Sequence, residues 1–236
     1  MNPLLQVRQH GQQIWLDNLS RTLLNDGHLA RFIADDGVAG VTTNPAIFHK
    51  AIAGKRYYED DLATLKQQAL SPEARYEALV IPDVQRACDL LAPVHRDSGG
   101  TAGYVSLEVS PALAHDAEGT VAAGLRLKAA VDRANLLIKV PATTAGLTAI
   151  EHLIGAGVSV NVTLMFSLAH CDAVAEAYLR GLRRLQDAGG DVSKVMSVAS
   201  LFLSRVDTLV DTLLEDRGGD LLSLRGQTAV AMARLA

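Results

Sequence analysis

Leu136-Leu137-Ile138-Lys139-Val140-Pro141 sets one lysine inside an otherwise apolar run. Short runs of Val, Ile and Leu closed by turn residues read as strands of a parallel sheet buried on both faces. Lysine is almost never fully buried unless it is paired or used. Desolvation favours the neutral amine, the form that attacks a carbonyl and forms a Schiff base. The segment alone also allows a lysine at a strand end whose ammonium reaches solvent.

On either side of this run, apolar strand candidates alternate with segments of helical period. The strand candidates are Gln13–Leu16, Gly40–Thr43, Tyr104–Val109, Leu136–Val140, Ser159–Leu164 and Met196–Leu201. Between them, Asp60–Gln68, Pro72–Ala92, Thr120–Val131, Ala145–Ile154, Ala169–Asp187 and Ser204–Leu214 carry the pattern of crossover helices. This rhythm predicts an α/β fold in one domain spanning residues 1–236. Gly155, Gly157, Gly189 and Gly190 read as helix-end punctuation and not as nucleotide-binding glycines.

The composition narrows the class further. Of 236 residues, 49% are hydrophobic and 20% charged, as in an ordinary globular protein. A net charge of −4 argues against a general nucleic-acid binder, although it leaves room for a local basic pocket. The two cysteines, Cys88 and Cys171, lie far apart and outside any metal-binding spacing, which suits a reducing cytoplasm. The N-terminus lacks an apolar signal region, and no uncharged apolar run approaches the roughly 20 residues of a membrane span.

Polar residues recur at the C-terminal ends of the strand candidates: Asp17, Asn44, Glu108, Lys139, the pair Asn161 and Thr163, and Ser200. Asn161 and Thr163 are two apart and share a strand face. In a (β/α)₈ TIM barrel these ends build the active site, so such groups would converge on one cavity. A Rossmann sheet would place its site similarly, but the chain has neither a GxGxxG turn nor a phosphate loop. The barrel is the preferred reading.

An amine nucleophile needs partners that move protons. Glu108 can shuttle them during carbinolamine dehydration and imine hydrolysis. Asp17 can take the hydroxyl proton whose loss triggers carbon–carbon cleavage, with the protonated imine as electron sink in place of a metal. Asn44, Asn161 and Thr163 offer neutral donors and acceptors for sugar hydroxyls, and Arg205 offers a fork for a phosphate. Each residue also has a purely structural use. Asp17 can cap a helix, Asn44-Pro45 can mark a turn, and Glu108 can pair with Lys139. Asn161 and Thr163 can satisfy each other, Ser200 can cap the next helix, and Arg205 can be a solvated helix residue.

Several motifs carry a resemblance. Ile14-Trp15-Leu16-Asp17-Asn18-Leu19-Ser20, Gly40-Val41-Thr42-Thr43-Asn44-Pro45-Ala46-Ile47-Phe48, Ser106-Leu107-Glu108-Val109, Ile138-Lys139-Val140-Pro141-Ala142-Thr143, Asn161-Val162-Thr163-Leu164-Met165-Phe166-Ser167 and Ser200-Leu201-Phe202-Leu203-Ser204-Arg205-Val206-Asp207 resemble those of transaldolases, in order and with suitable spacing. The wording is closest to the longer bacterial type, also found fused to glucose-6-phosphate isomerase. The resemblance implies a class I aldolase-type barrel of the non-oxidative pentose phosphate pathway, working without metal or organic cofactor. It would move a dihydroxyacetone unit from sedoheptulose 7-phosphate to glyceraldehyde 3-phosphate, giving erythrose 4-phosphate and fructose 6-phosphate. Lys139 would then be the Schiff-base lysine, Glu108 the proton shuttle acting through water, and Asp17 the base. Asn44, Asn161, Thr163 and Ser200 match the substrate-binding shell, Phe202 the neighbouring aromatic, and Arg205 the phosphate-binding arginine.

The chain departs from that family after Arg205, where one helix, a polar loop over Asp216–Asp220 and a short terminal helix replace any seventh or eighth strand. About six of eight β/α units are therefore expected, which suggests a truncated product or a partial gene. The isolated chain is expected to be marginally stable, to self-associate through exposed barrel edges, and to turn over slowly or not at all. A second reading is an inactive barrel fragment acting as a pairing module. A third, a deoxyribose-phosphate or fructose-phosphate aldolase, is opposed by the Thr-Thr-Asn-Pro and Asn-Val-Thr-Leu-Met-Phe-Ser motifs.

Overall fold

The computed structural model describes residues 2–236 and places a strand at each of the six apolar runs. The chain divides into two compact units, one holding the residues up to Ser110 together with Ala123–Ile138, the other Pro111–Ala122 together with Lys139–Ala236.

In the first unit, helix α1 (Pro3–Val7) leads into strand β1 (Ile14–Asp17), then α2 (Arg21–Asn25), α3 (His28–Asp35) and β2 (Val38–Thr42). The pairing is parallel, with Trp15 opposite Gly40 and Asp17 opposite Thr42. Gly40 is required there, because any Cβ would overlap the Trp15 indole. Helices α4 (Pro45–Ala53), α5 (Glu59–Lys66) and α6 (Pro72–Asp97) precede β3 (Tyr104–Glu108), which pairs parallel to β2 with Thr42 opposite Ser106. Helix α6 buries Leu79, Val80, Asp83, Val84, Ala87, Cys88 and Leu91, a three-and-four spacing that forms one face. It continues past the predicted end at Ala92, because Pro93 lies on the solvent side, where a proline can be tolerated. Helix α7 (Ala117–Val131) leads to β4 (Leu136–Pro141), and just before that strand the Asn135 carbonyl accepts from the Val105 N–H of β3 at 3.0 Å.

The second unit takes Pro111–Ala122 and then resumes within β4 at Lys139. Helix α8 (Thr144–Gly155) is capped by the Thr143 hydroxyl and leads to β5 (Val160–Met165); the Ala142 N–H donates to the Thr163 carbonyl at 2.8 Å. Helix α9 (Leu168–Asp187) crosses α8 closely at Gly181, where a Cβ would come 2.6 Å from that of Ile154. Strand β6 (Ser197–Leu201) pairs parallel to β5. Helix α10 (Leu203–Arg217) has no buried residue, and helix α11 (Thr228–Leu235) is stitched to it by Asp207 and Asp211, which accept from the Ala229 and Gly226 N–H groups.

Strand limits differ from the sequence reading by one or two residues. Strand β1 takes in Asp17, so this residue is no helix cap; Ser20 caps α2. Strand β2 starts at Val38, two residues before its predicted start, because Val38 pairs with Ile14. Strand β5 reaches Met165 through an irregularity at which Leu164 adopts a left-handed backbone, φ 62°. Among the described residues no strand follows β6, and no helix is long and apolar enough to cross a membrane.

Candidate active site

In the first unit, Asp17, Thr42 and Ser106 occupy one register row, and partners in a parallel ladder send side chains to the same face. Glu108 lies two residues beyond Ser106 and shares its face. Asp17 is exposed at the end of β1, whereas Glu108 is half-buried at the end of β3. Asn44 follows β2 and caps α4, its side-chain oxygen accepting from the Ile47 N–H at 3.0 Å, with Pro45 opening the helix. Asn44 is thus a helix cap and not a turn residue, and that bond does not use its amide N–H₂.

Three hydroxyl residues to which sequence reasoning gave no role lie in or beside this row: Thr42, Thr43 and Ser106. Thr43 donates to the Ser106 carbonyl at 2.7 Å, and both residues are buried. The Thr42 hydroxyl is buried without a hydrogen-bond partner among the described residues. Tyr76 of α6 was also missed. It meets Phe48 edge-on at 6.0 Å, and burial first, then the Glu108 and Glu77 carboxylates, push its phenol upward. Nothing in its helical spacing separates it from an ordinary core tyrosine.

In the second unit, Lys139 is 6% exposed in a strand buried at every position, so the solvent-reaching alternative fails. Asn161 and Thr163 are both buried. The Ser200 hydroxyl donates to the Asn161 side-chain oxygen at 3.0 Å, which binds β6 to β5. Ser200 is not a cap, since Phe202 holds that position on α10 without a side-chain bond. The Phe202 N–H donates to the Met165 carbonyl at 2.8 Å, extending the β5–β6 pairing past Leu201. Its ring packs against Phe166 at 5.1 Å, and the Arg205 guanidinium lies over it, also at 5.1 Å. Arg205 is exposed, and its fork is held against the Phe202 ring by stacking.

Leu164 keeps its strained backbone between the buried Thr163 and Met165, and its own side chain is turned outward. Such outliers cluster at functional sites, where they re-aim neighbouring groups. Next to it, the Phe166 N–H donates to Nδ1 of His170 at 3.2 Å. Among the described residues, no group of three or more His, Cys, Asp or Glu side chains is arranged to hold a metal.

The chain is 55% identical to the transaldolase of Thiobacillus denitrificans over 237 residues, covering 100% of this chain and 66% of the relative. It is 50% identical to the transaldolase of Neisseria gonorrhoeae, covering 65% of that protein, and 47% identical to the transaldolase of Acidothermus cellulolyticus, covering 63%. The chain thus spans about two thirds of the length of these relatives. A family profile described as Transaldolase/Fructose-6-phosphate aldolase matches residues 14–236. With that match running through every strand-end residue considered above, the chain belongs to the Transaldolase/Fructose-6-phosphate aldolase family.

Proposed function

We propose that this chain carries transaldolase chemistry, transferring a dihydroxyacetone unit between sugar phosphates through a Schiff base on Lys139. The observation that carries the reading is the burial of Lys139, a potential amine nucleophile, in an otherwise apolar strand. The family description covers both transaldolases and fructose-6-phosphate aldolases, but the relatives cited above are all transaldolases. That likeness supports transfer over simple cleavage and disfavours an inert fragment.

In this mechanism the Lys139 amine attacks the ketose carbonyl, and the carbinolamine loses water as Glu108 passes protons. Asp17 takes the proton from the hydroxyl on C4; the C3–C4 bond breaks, and its electron pair moves into the imine. The aldehyde fragment leaves, the enamine attacks the acceptor aldehyde, and hydrolysis frees Lys139. Asn44, Asn161, Thr163 and Ser200 would bind hydroxyls, Phe202 would wall the site, and Arg205 would grip a phosphate. Sedoheptulose 7-phosphate and glyceraldehyde 3-phosphate are the proposed substrates. Cys88 and Cys171 are both free thiols, in keeping with a cytoplasmic setting. Exposed Leu209, Leu213, Val230 and Leu235 on α10 and α11 support self-association of the chain as it stands.

The test is borohydride trapping with fructose 6-phosphate, followed by intact mass and peptide mapping, with Lys139→Ala as control. An adduct on Lys139 is expected. A folded chain without one would overturn the proposal.

A further inference from the structure

Asp83 breaks the pattern of its helix. The buried face of α6 is otherwise apolar, yet at this position it carries a carboxylate that is 1% exposed. Its two oxygens are both taken. Arg21 Nε donates to one at 2.9 Å, and the Tyr58 hydroxyl donates to the other at 2.7 Å. The same hydroxyl accepts from the Arg21 backbone N–H at 3.1 Å, so the bonds form a closed ring that leaves Arg21 by its main chain and returns by its side chain. The guanidinium lies 4.5 Å from the centre of the buried Tyr58 ring, and its remaining nitrogens donate to Asp61, to the Tyr57 carbonyl and to the Leu79 carbonyl. That last acceptor lies three residues before Pro82, which stands inside the helix.

What this ring holds is the turn between β1 and α2. The Arg21 N–H is one of the orphan donors at the start of α2, and Tyr58 satisfies it. Ser20 caps the same helix, and Leu19 is fully buried. Asp17 begins this turn. Among the described residues no side chain holds its carboxylate, so its place is set by the backbone alone. On one side that backbone is fixed by pairing with Thr42, on the other by the turn that ends at Arg21.

We propose that Arg21, Tyr58 and Asp83 are positioning residues for Asp17, and that they fix the base that breaks the carbon–carbon bond. The inference rests on the Schiff-base reading above, since it assigns the ring to one step of that reaction. Imine formation at Lys139 does not use Asp17 and so does not depend on the ring; cleavage does. Misplacement of a reacting group by about 1 Å can cost about 100-fold in rate.

The experiment compares Tyr58→Phe and Asp83→Asn with Asp89→Asn, which removes an exposed ion pair to Arg133 from the same helix. Borohydride trapping quantifies the imine with fructose 6-phosphate, and single-turnover release of glyceraldehyde 3-phosphate reports cleavage. Tyr58→Phe should form imine to the wild-type extent while cleaving at least about 10-fold more slowly. On an Asp17→Asn background it should add no further loss, because its effect runs through that carboxylate. Unchanged cleavage, a parallel loss of imine in a folded variant, or additive losses would each overturn the proposal. Amide hydrogen exchange supplies a readout independent of chemistry, and it remains informative if Asp83→Asn folds poorly. Exchange should rise in peptides covering residues 17–23 in Tyr58→Phe and stay at the wild-type level in Asp89→Asn. If the wild-type chain traps no imine, the Schiff-base reading falls and exchange alone decides whether the turn is held by this ring; no change there would end the inference.

Discussion

The Ser200 hydroxyl donates to the side-chain oxygen of Asn161 across 3.0 Å, making a polar tie between β6 and β5 at a position where Asn161 is almost wholly buried. Ser200→Ala removes that hydrogen bond. The variant should lose about 1–2 kcal/mol of stability in urea unfolding. A midpoint equal to the wild type would show that the tie contributes nothing.

Gly40 and Trp15 make a prediction about packing. Gly40→Ala drives a methyl group into the indole and should destabilise the chain by about 1–3 kcal/mol. Trp15→Leu removes the obstacle, so the two substitutions together should cost less than the sum of their separate effects. Additive losses in a double-mutant cycle would place the strain elsewhere.

Arg205 tests phosphate recognition. A lysine in its place keeps the charge but loses both the two-pronged fork and the stack on Phe202. Arg205→Lys should weaken binding of fructose 6-phosphate by roughly 10-fold, as should Arg205→Gln, while borohydride trapping at saturating sugar persists. Full affinity in Arg205→Lys would mean that charge alone suffices.

The pH dependence of stability is set partly by Glu151. Hydrogen bonding from Arg180, the leading cause, and from Arg184 holds its carboxyl below the usual range. A carboxylate lowered in the folded state binds fewer protons there than in the unfolded chain. Its contribution is therefore present above the ordinary glutamate range of about 4.3 and lost as pH falls through the lower folded value. Glu151→Gln should lower Tm at neutral pH and converge with the wild type in acid. Parallel Tm curves across that window would sink the assignment.

Much of the fold was legible because its signals are local. The run 136–141 is apolar enough to announce a buried strand, and Lys139 stands out within it by charge alone. Strand ends were harder to read. The limits of β1 and β5 depend on pairing, and the left-handed turn at Leu164 carries no glycine or asparagine to mark it. Asn44 read first as a turn residue and only in company with the other strand ends as a ligand, and the capping bond to Ile47 uses only one end of its amide.

From its sequence alone, this protein's order of strands and helices, its family motifs and the identity of its one buried strand lysine were determined, since each follows from composition or period within a few residues. Only the tertiary structure decided that Arg21, Tyr58 and Asp83 close into one ring, that Ser200 serves Asn161, and that Arg205 lies on Phe202. Arg21 is 62 residues from Asp83 and 37 from Tyr58, and Ser200 is 39 from Asn161. Over such separations no local preference couples the partners. A buried charge finds its counter-ion only when packing has removed water from both.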